Sequence, residues 1–139
     1  MKSQPHLPSG WTTSRIPDQT GRRYLITGAN SGLGLETAKA LVAKGAHVTV
    51  TARSEVKGAT AMAESGAQEF ILMDLADLSS IRAAATKVTE PYDVVFLNAG
   101  IMVPPFSKTV DGFESQMGTN HLGHFAFAEI GRASCRERV

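Results

Sequence analysis

The chain has 139 residues, of which 42% are hydrophobic and 19% charged, a composition typical of one soluble globular domain. Its formal net charge of +1 gives no electrostatic reason to expect nucleic acid or an anionic membrane as a partner. The single cysteine, Cys135, excludes an internal disulfide, and no apolar run approaches the roughly 20 residues of a bilayer span. The amino terminus has no apolar signal-peptide core, so we expect a cytoplasmic protein.

Residues 1–20 contain three prolines and several small polar side chains, which predicts an irregular amino-terminal extension. From residue 21 onward, short apolar runs alternate with segments in which apolar residues recur at helical spacing. Ser54 can cap the second predicted helix and Gly66 can end it, and Asp77, Ser79 or Ser80 can cap the third. The predicted strands are 24–27, 47–52, 70–73 and 94–97, and the predicted helices are about 35–42, 54–65, 77–90 and 112 onward.

Four apolar strands alternating with helices are typical of a parallel sheet that is covered by helices on both faces. Because crossovers between parallel strands are right-handed, few topologies remain. The sequence therefore predicts an α/β fold of Rossmann type over residues 21–129. We expect a doubly wound parallel sheet of strand order 3-2-1-4, truncated after the central helix that follows strand 4.

A glycine-rich segment, TGANSGLG at residues 27–34, joins the first predicted strand to the first helix. Glycines at such a turn permit a sharp change of direction and let a pyrophosphate approach the backbone, while the helix N-terminus favours an anion. A tight turn without a ligand is the structural alternative, but the strand–turn–helix context favours binding. No Lys-Ser or Lys-Thr pair follows, which argues against an NTPase loop. The candidate contacts are Gly28, Asn30, Ser31, Gly32, Leu33 and Gly34.

The residue that selects the cofactor is expected just after the second strand, where a carboxylate would bind a free ribose 2′-hydroxyl. The chain has Arg53 there, flanked by the hydroxyls of Thr51 and Ser54. A guanidinium can pair bidentately with a 2′-phosphate and stack on adenine. We therefore expect NADP(H) to be favoured over NAD(H). The alternative is a solvent-exposed arginine with no ligand.

Four motifs in order resemble those of the short-chain dehydrogenase/reductase family, over residues 21 to about 129. They are TGxxxGxG from Thr27, Asp74-Leu75 after the third strand, Leu97-Asn98-Ala99-Gly100 after the fourth, and Asn120-His121-Leu122-Gly123-His124-Phe125 on the central helix. Leu97 departs from the family pattern, which usually has an asparagine there. The lead-in at 10–18 is similar to that of bacterial members related to retinol dehydrogenases.

This resemblance implies hydride transfer between NADP(H) and a small carbonyl or alcohol substrate, in a parent protein that is a homo-oligomer. The residues it assigns are Asp74 and Leu75 to adenine, Asn98, Ala99 and Gly100 to the cofactor, and Asn120 to a catalytic proton relay. Capping of a helix is the alternative role for Asp74. A hydrogen bond to nearby backbone is the alternative for Asn120.

Family members also use a tyrosine, a lysine four residues later and a serine. A phenol titrates near ~10 and therefore needs a neighbouring cation to exchange protons at neutral pH. Tyr24 and Tyr92 have no lysine at that spacing. The chain is therefore expected to lack the proton-transfer groups and to be inactive alone.

Residues 130–139 interrupt the apolar pattern and resemble an in-frame translation of a sequencing-library adapter. We interpret them as a non-native tail and exclude them from the predicted domain. Without a fifth strand, the fourth keeps an open apolar edge. We therefore expect the fragment to be poorly soluble or partly molten.

Two other functions remain open at this point: a non-catalytic NADP(H)-binding regulator or scaffold, and a methyltransferase built on a similar sheet. A Tyr-x-x-x-Lys motif further along the parent chain would favour the enzyme. Arg53, where methyltransferases usually have a carboxylate, argues against the methyltransferase. His121 and His124 lie three apart without a third ligand nearby, so no metal site is predicted.

Overall fold

A computed structural model describes the backbone of residues 10–136 and the side chains of residues 10–131. The elements are a 3₁₀ turn (Thr13–Arg15), β1 (Arg23–Thr27), α1 (Gly32–Val42), β2 (His47–Ala52), α2 (Glu55–Ser65), β3 (Glu69–Leu72), α3 (Leu78–Thr86), β4 (Val94–Phe96), α4 (Ser115–Met117), a π-helical turn (Gly118–Leu122) and α5 (Gly123–Arg136).

The four strands form one parallel sheet in the order β3-β2-β1-β4. The register places Leu25 of β1 beside Thr49 of β2 and Val95 of β4. The predicted strand order and the doubly wound Rossmann-type fold are therefore confirmed. Consecutive connections run outward in opposite directions from β1, which creates a crevice at the carboxyl ends of β1 and β4.

The sheet separates two hydrophobic cores, because successive side chains of a strand point to opposite faces. On one face, Tyr24 and Ile26 pack with Val48, Val50 and the apolar sides of α1 and α2. On the other face, Leu25, Ile71, Ile81 and Phe127 join β1 and β3 to α3 and α5. The helices α1, α2, α3 and α5 therefore each pack on one face of the sheet.

Local signals in the sequence set the helix ends as predicted. Ser54 caps α2 by accepting a hydrogen bond from the backbone N–H of Lys57 at 3.3 Å. Gly66 ends the same helix with φ of 78°, in the left-handed region that glycine adopts readily. Asp77 caps α3 by accepting from the backbone N–H groups of Ser79 and Ser80.

The last helix begins at Ser115, not near Gly112 as predicted. Gly112 has φ of +86°, which a right-handed helix cannot accommodate. The carboxylate of Glu114 instead accepts hydrogen bonds from the next two free backbone N–H groups and caps α4. At the other end, α5 continues to Arg136, and Ile130 packs on the second core. A helical backbone is compatible with either origin of residues 130–139, so their non-native origin stays a prediction.

The outer edge of β4 is free within residues 10–136, because β1 is its one strand neighbour there. Val95 is 43% exposed, and Val94 and Phe96 are each 36% exposed. The open apolar edge expected from the sequence is therefore present. No helix in the described part of the chain combines the length and the apolar character that a bilayer crossing demands.

Candidate functional site

A cavity of about 410 Å³ opens at the carboxyl ends of the strands. Its position matches the crevice that the strand order creates between β1 and β4. Every predicted cofactor residue except Gly32 and Gly34 lines it: Gly28, Asn30, Ser31, Leu33, Arg53, Asp74, Leu75, Asn98, Ala99 and Gly100. The fold therefore brings three of the four sequence motifs, together with Arg53, to one cavity.

Close packing leaves no room for a side chain at two glycines of the first turn, Gly28 and Gly34. Gly28 has φ of +68°, and a Cβ there would lie 2.7 Å from the Cα of Ala99. A Cβ on Gly34 would overlap the carbonyl oxygen of Gly28 and lie 2.6 Å from Nδ2 of Asn98. Gly32 has φ of +58° and begins α1. Gly32 and Gly34 thus shape the turn although they do not line the cavity.

The N-terminus of α1 differs from those of α2 and α3. Its N-cap residue, Ser31, is extended and accepts no side-chain hydrogen bond, and no acidic residue lies in the first turn. The other two helices are capped by Ser54 and Asp77. The free N–H groups of α1 and its positive dipole end therefore border the cavity, where an anion would be stabilised.

A hydrogen-bond cluster joins the turn after β1 to the turn after β4. The Thr27 hydroxyl oxygen accepts from the backbone N–H of Asn98 at 3.0 Å and of Ala99 at 2.9 Å. The Asn98 side chain donates in return to the carbonyls of Thr27 and Gly28, at 3.1 and 3.3 Å. Asn98 therefore holds the two turns together, even though Leu97 replaces the family's first asparagine.

Two cations line the cavity beyond the end of β2. Arg53 and Lys57 are both exposed, and neither forms an ion pair within residues 10–131. Lys57 was missed by sequence reasoning. The sequence feature that could have identified Lys57 is its position in the first turn of α2, four residues after Arg53. A long side chain there reaches back toward the strand end.

The predicted adenine contacts also border the cavity. The Asp74 carboxylate accepts a hydrogen bond from the backbone N–H of Ala76 at 2.9 Å, and its own N–H donates to the Ser80 hydroxyl. Leu75 is buried beside it, and a Cβ on Gly123 would overlap the Leu75 carbonyl. Asp74 therefore shapes its own turn while facing the cavity.

Asn120 lies in the π-helical turn and does not line the cavity. Its side-chain oxygen accepts from the Ile101 N–H, and its amide donates to the Ile101 carbonyl, each at 2.8 Å. The side chain is thus used in bonding to backbone, as the alternative interpretation expected. This pairing fixes the loop that leaves Gly100, and the catalytic role of Asn120 stays a prediction.

One turn earlier on the same helix, Gln116 makes a similar contact. Its side-chain oxygen accepts from the Val103 N–H at 2.8 Å. Val103 has φ of +49°, a strained conformation for a β-branched residue. Met102 and Val103 are 87% and 85% exposed and directly follow Ile101, which lines the cavity. Two amides on one helix face therefore hold a strained apolar loop at the site.

The remaining candidates have local partners. His124 is buried and bonds through its two ring nitrogens to Thr27 and to the carbonyl of Asn120. Residues 10–131 contain no cluster of three His, Cys, Asp or Glu side chains suited to a metal ion. The Tyr24 hydroxyl donates to Gln19 and that of Tyr92 to Thr49, and neither tyrosine lines the cavity.

Comparisons with known proteins give a consistent result. The family model described as short chain dehydrogenase matches residues 22–132. Retinol dehydrogenase 11 of Mus musculus is 42% identical over 133 residues, which cover 89% of this chain and 42% of that protein. The chain therefore spans less than half the length of this curated relative.

Solved structures show the same likeness. The crystal structure of an uncharacterised protein from Mycobacterium paratuberculosis has a TM-score of 0.81 and 48% identity, covering 88% of this chain and 46% of that one. Gluconate 5-dehydrogenase from Burkholderia cenocepacia, solved in complex with NADP and tartrate, has a TM-score of 0.67 and 30% identity, covering 86% and 50%. Fold, motif order and family model agree, and the chain belongs to the short-chain dehydrogenase/reductase family of oxidoreductases.

Proposed function

We propose that this chain binds NADP(H) and forms the nucleotide-binding part of an oxidoreductase that moves a hydride between the cofactor and a small carbonyl or alcohol. The observation that carries the choice of NADP(H) is the pair Arg53 and Lys57 after the end of β2, which line the cavity while the nearby Glu55 does not. Two cations favour a 2′-phosphate, whereas a carboxylate would favour a free 2′-hydroxyl. The NADP complex of gluconate 5-dehydrogenase is a related precedent.

The residues present fit a dinucleotide along the whole cavity. The pyrophosphate would lie over the turn from Gly28 to the uncapped N-terminus of α1, where side-chain bulk is absent. Arg53 and Lys57 would hold the 2′-phosphate, and Asp74 and Leu75 would border the adenine. The nicotinamide half would lie along the turn from Asn98 to Gly100, which lines the cavity together with Ile101 and Thr119.

The chain contributes binding and orientation, while the bound nicotinamide would supply the hydride chemistry. Arg53 and Lys57 neutralise the phosphate, and the backbone of the first turn holds the pyrophosphate. Asn120 keeps the Gly100–Ile101 backbone in place beside the site. The tyrosine, lysine and serine that family members use for proton transfer would come from the rest of the parent chain. We infer that these 139 residues alone do not turn over substrate.

A non-catalytic regulator would share this binding site but not the downstream Tyr-x-x-x-Lys motif. Membership in a family of dehydrogenases favours the enzyme. The coding sequence that follows residue 128 in the parent gene separates the two, since the motif is present in one case and absent in the other.

Charge reversal tests the choice of cofactor. Arg53→Asp should weaken NADPH binding by about 10–100-fold, because it removes a charge-assisted hydrogen bond and adds repulsion. NADH binding should be retained or improved. Arg22→Asp, at another exposed arginine just before β1, is the matched control and should leave the ratio of the two dissociation constants unchanged. An unchanged ratio in Arg53→Asp would refute the assignment.

A further inference from the structure

His124 is a buried side chain that cofactor binding, as proposed above, does not use. It is 5% exposed and lies in the first turn of α5, against the end of β1. Its Nε2 atom is 2.8 Å from the Thr27 hydroxyl oxygen, and its Nδ1 atom is 2.9 Å from the Asn120 carbonyl oxygen. Both ring nitrogens are therefore engaged, one with the cofactor turn and one with the central helix.

Counting donors and acceptors fixes where the protons lie. The Asn120 carbonyl can only accept, so Nδ1 carries the ring proton. The Thr27 oxygen already accepts from the N–H groups of Asn98 and Ala99, so its own hydrogen must be donated. Nε2 of His124, at 2.8 Å, is a nearer acceptor than the Phe96 carbonyl, at 3.4 Å. The network is complete when His124 is neutral with its proton on Nδ1.

These bonds form one continuous path. It runs from the Ala99 N–H to the Thr27 hydroxyl, through the imidazole, and on to the Asn120 carbonyl. Ala99 lines the cavity, and the Asn120 side chain holds the backbone of Ile101, which lines the cavity too. The path therefore joins the surface that would contact the cofactor to the helix that carries Asn120.

We propose that His124 is a positioning residue that couples the cofactor turn to the Asn120 carbonyl. The inference rests on the proposed binding of NADP(H) in this cavity. The imidazole orients the Thr27 hydroxyl, which in turn orients the Asn98 and Ala99 N–H groups. The other ring nitrogen, Nδ1, bonds to the Asn120 carbonyl and so keeps the central helix at a fixed distance from that turn. Replacing His124 thus alters cofactor binding although the side chain does not touch the cavity.

Two variants separate the two ends of the path. In His124→Gln the longer side chain places an amide oxygen near the position of Nε2, where it accepts from Thr27. In His124→Asn the shorter side chain places an amide N–H near the position of Nδ1, where it donates to Asn120 and leaves the Thr27 hydroxyl without this partner. NADPH affinity should stay within about threefold in the Gln variant and fall about tenfold in the Asn variant. His121→Asn, at the neighbouring exposed histidine, is the matched control and should bind as the unsubstituted chain does.

The response of the His124 ring to NADPH gives a readout that a purely structural role would not produce. The 139-residue chain labelled with ¹⁵N-histidine is examined by long-range ¹H–¹⁵N correlation at neutral pH, and the His124 signals are assigned as those lost in His124→Gln. We expect a neutral ring with its proton on Nδ1, and an Nε2 shift that changes when NADPH is added.

A ring protonated on Nε2, a charged ring, or equal NADPH affinities in the Gln and Asn variants would overturn the proposal. The test is separable from that of the proposed function. Failure of the unsubstituted chain to bind NADPH would reject the cofactor assignment, while the tautomer would still show whether the Thr27–His124–Asn120 path exists.

Discussion

Gly28 and Ala99 pack backbone against backbone, so closely that a Cβ on Gly28 would lie 2.7 Å from the Ala99 Cα. The two residues belong to turns that are 71 positions apart in sequence, and they form adjacent walls of one cavity. Position 28 therefore requires glycine for two independent reasons: its φ of +68° lies in the left-handed region, and there is no room for a side chain.

Gly28→Ala separates these requirements when it is compared with Gly112→Ala. Gly112 has φ of +86° but nothing within 4 Å of a built Cβ. Its alanine variant should therefore lose stability only through the unfavourable backbone conformation. That conformation costs about 1–2 kcal/mol for an L-residue. We expect Gly28→Ala to cost a further 1–3 kcal/mol, about the range typical of overpacking, and to abolish NADPH binding. Urea unfolding of both variants measures the difference, and equal losses would show that the Ala99 contact is unimportant.

Replacing Val103 by glycine should stabilise the folded chain, whereas a substitution by glycine usually destabilises it. Its φ of +49° is strained for a β-branched residue, and at 85% exposure it has little burial to lose. We expect Val103→Gly to raise the free energy of unfolding by about 0.5–1 kcal/mol. Val110→Gly is the control, because Val110 is 79% exposed and has no positive φ. It should lose about 0.5–1 kcal/mol from backbone entropy. Chemical unfolding that gives both variants the same sign would contradict the strain at Val103.

The open edge of β4 should make the chain associate with itself. Val95 lies on that edge, 43% exposed, where a lysine would interrupt pairing with a second copy. Val95→Lys should therefore reduce the aggregated fraction in size-exclusion chromatography and light scattering. Val56→Lys places the same charge at a valine that is 76% exposed and lies on the helix α2, not on a strand. Equal improvement in both variants would point to net charge rather than to the edge.

Acid should destabilise the helix caps in a predictable direction. The hydroxyl of Ser79, followed by the backbone N–H groups of Ser79 and Ser80, lowers the pKa of the Asp77 carboxyl below its ordinary value. A group whose pKa is lower in the folded chain stabilises the fold above its unfolded pKa of ~4, and the contribution is lost as pH falls through the folded pKa. Asp77→Asn keeps a capping oxygen but does not titrate. Its stability should fall less steeply below about pH 4 than that of the unsubstituted chain, as followed by thermal unfolding. Parallel curves would show that Asp77 contributes nothing to the acid response.

The framework was predictable from sequence because its signals are local. A strand read at 24–27, the cap at Ser54 and the stop at Gly66 each depend on a few neighbouring residues, and each is present in the structure. Strand order followed from the handedness of crossovers between parallel strands. Most of the motifs then line one cavity, because the carboxyl ends of parallel strands meet at the same edge of the sheet.

The side-chain networks were not predictable in the same way. The partner of His124 is Thr27, 97 residues away, and no spacing rule joins the first turn of α5 to the end of β1. Gln116 and Val103 meet only because a strained loop folds back over the helix. The start of the last helix was misplaced because Gly112 and Glu114 are both credible boundary residues, and only the backbone angles distinguish them.

The central claim is that the cavity holds a dinucleotide whose 2′-phosphate is neutralised by Arg53 and Lys57. Isothermal titration of the 139-residue chain with NADPH, NADH and S-adenosylmethionine tests it directly. The account predicts binding of NADPH at least about tenfold tighter than of NADH, and no binding of S-adenosylmethionine. Equal affinity for the two dinucleotides, or tighter binding of S-adenosylmethionine, would contradict it.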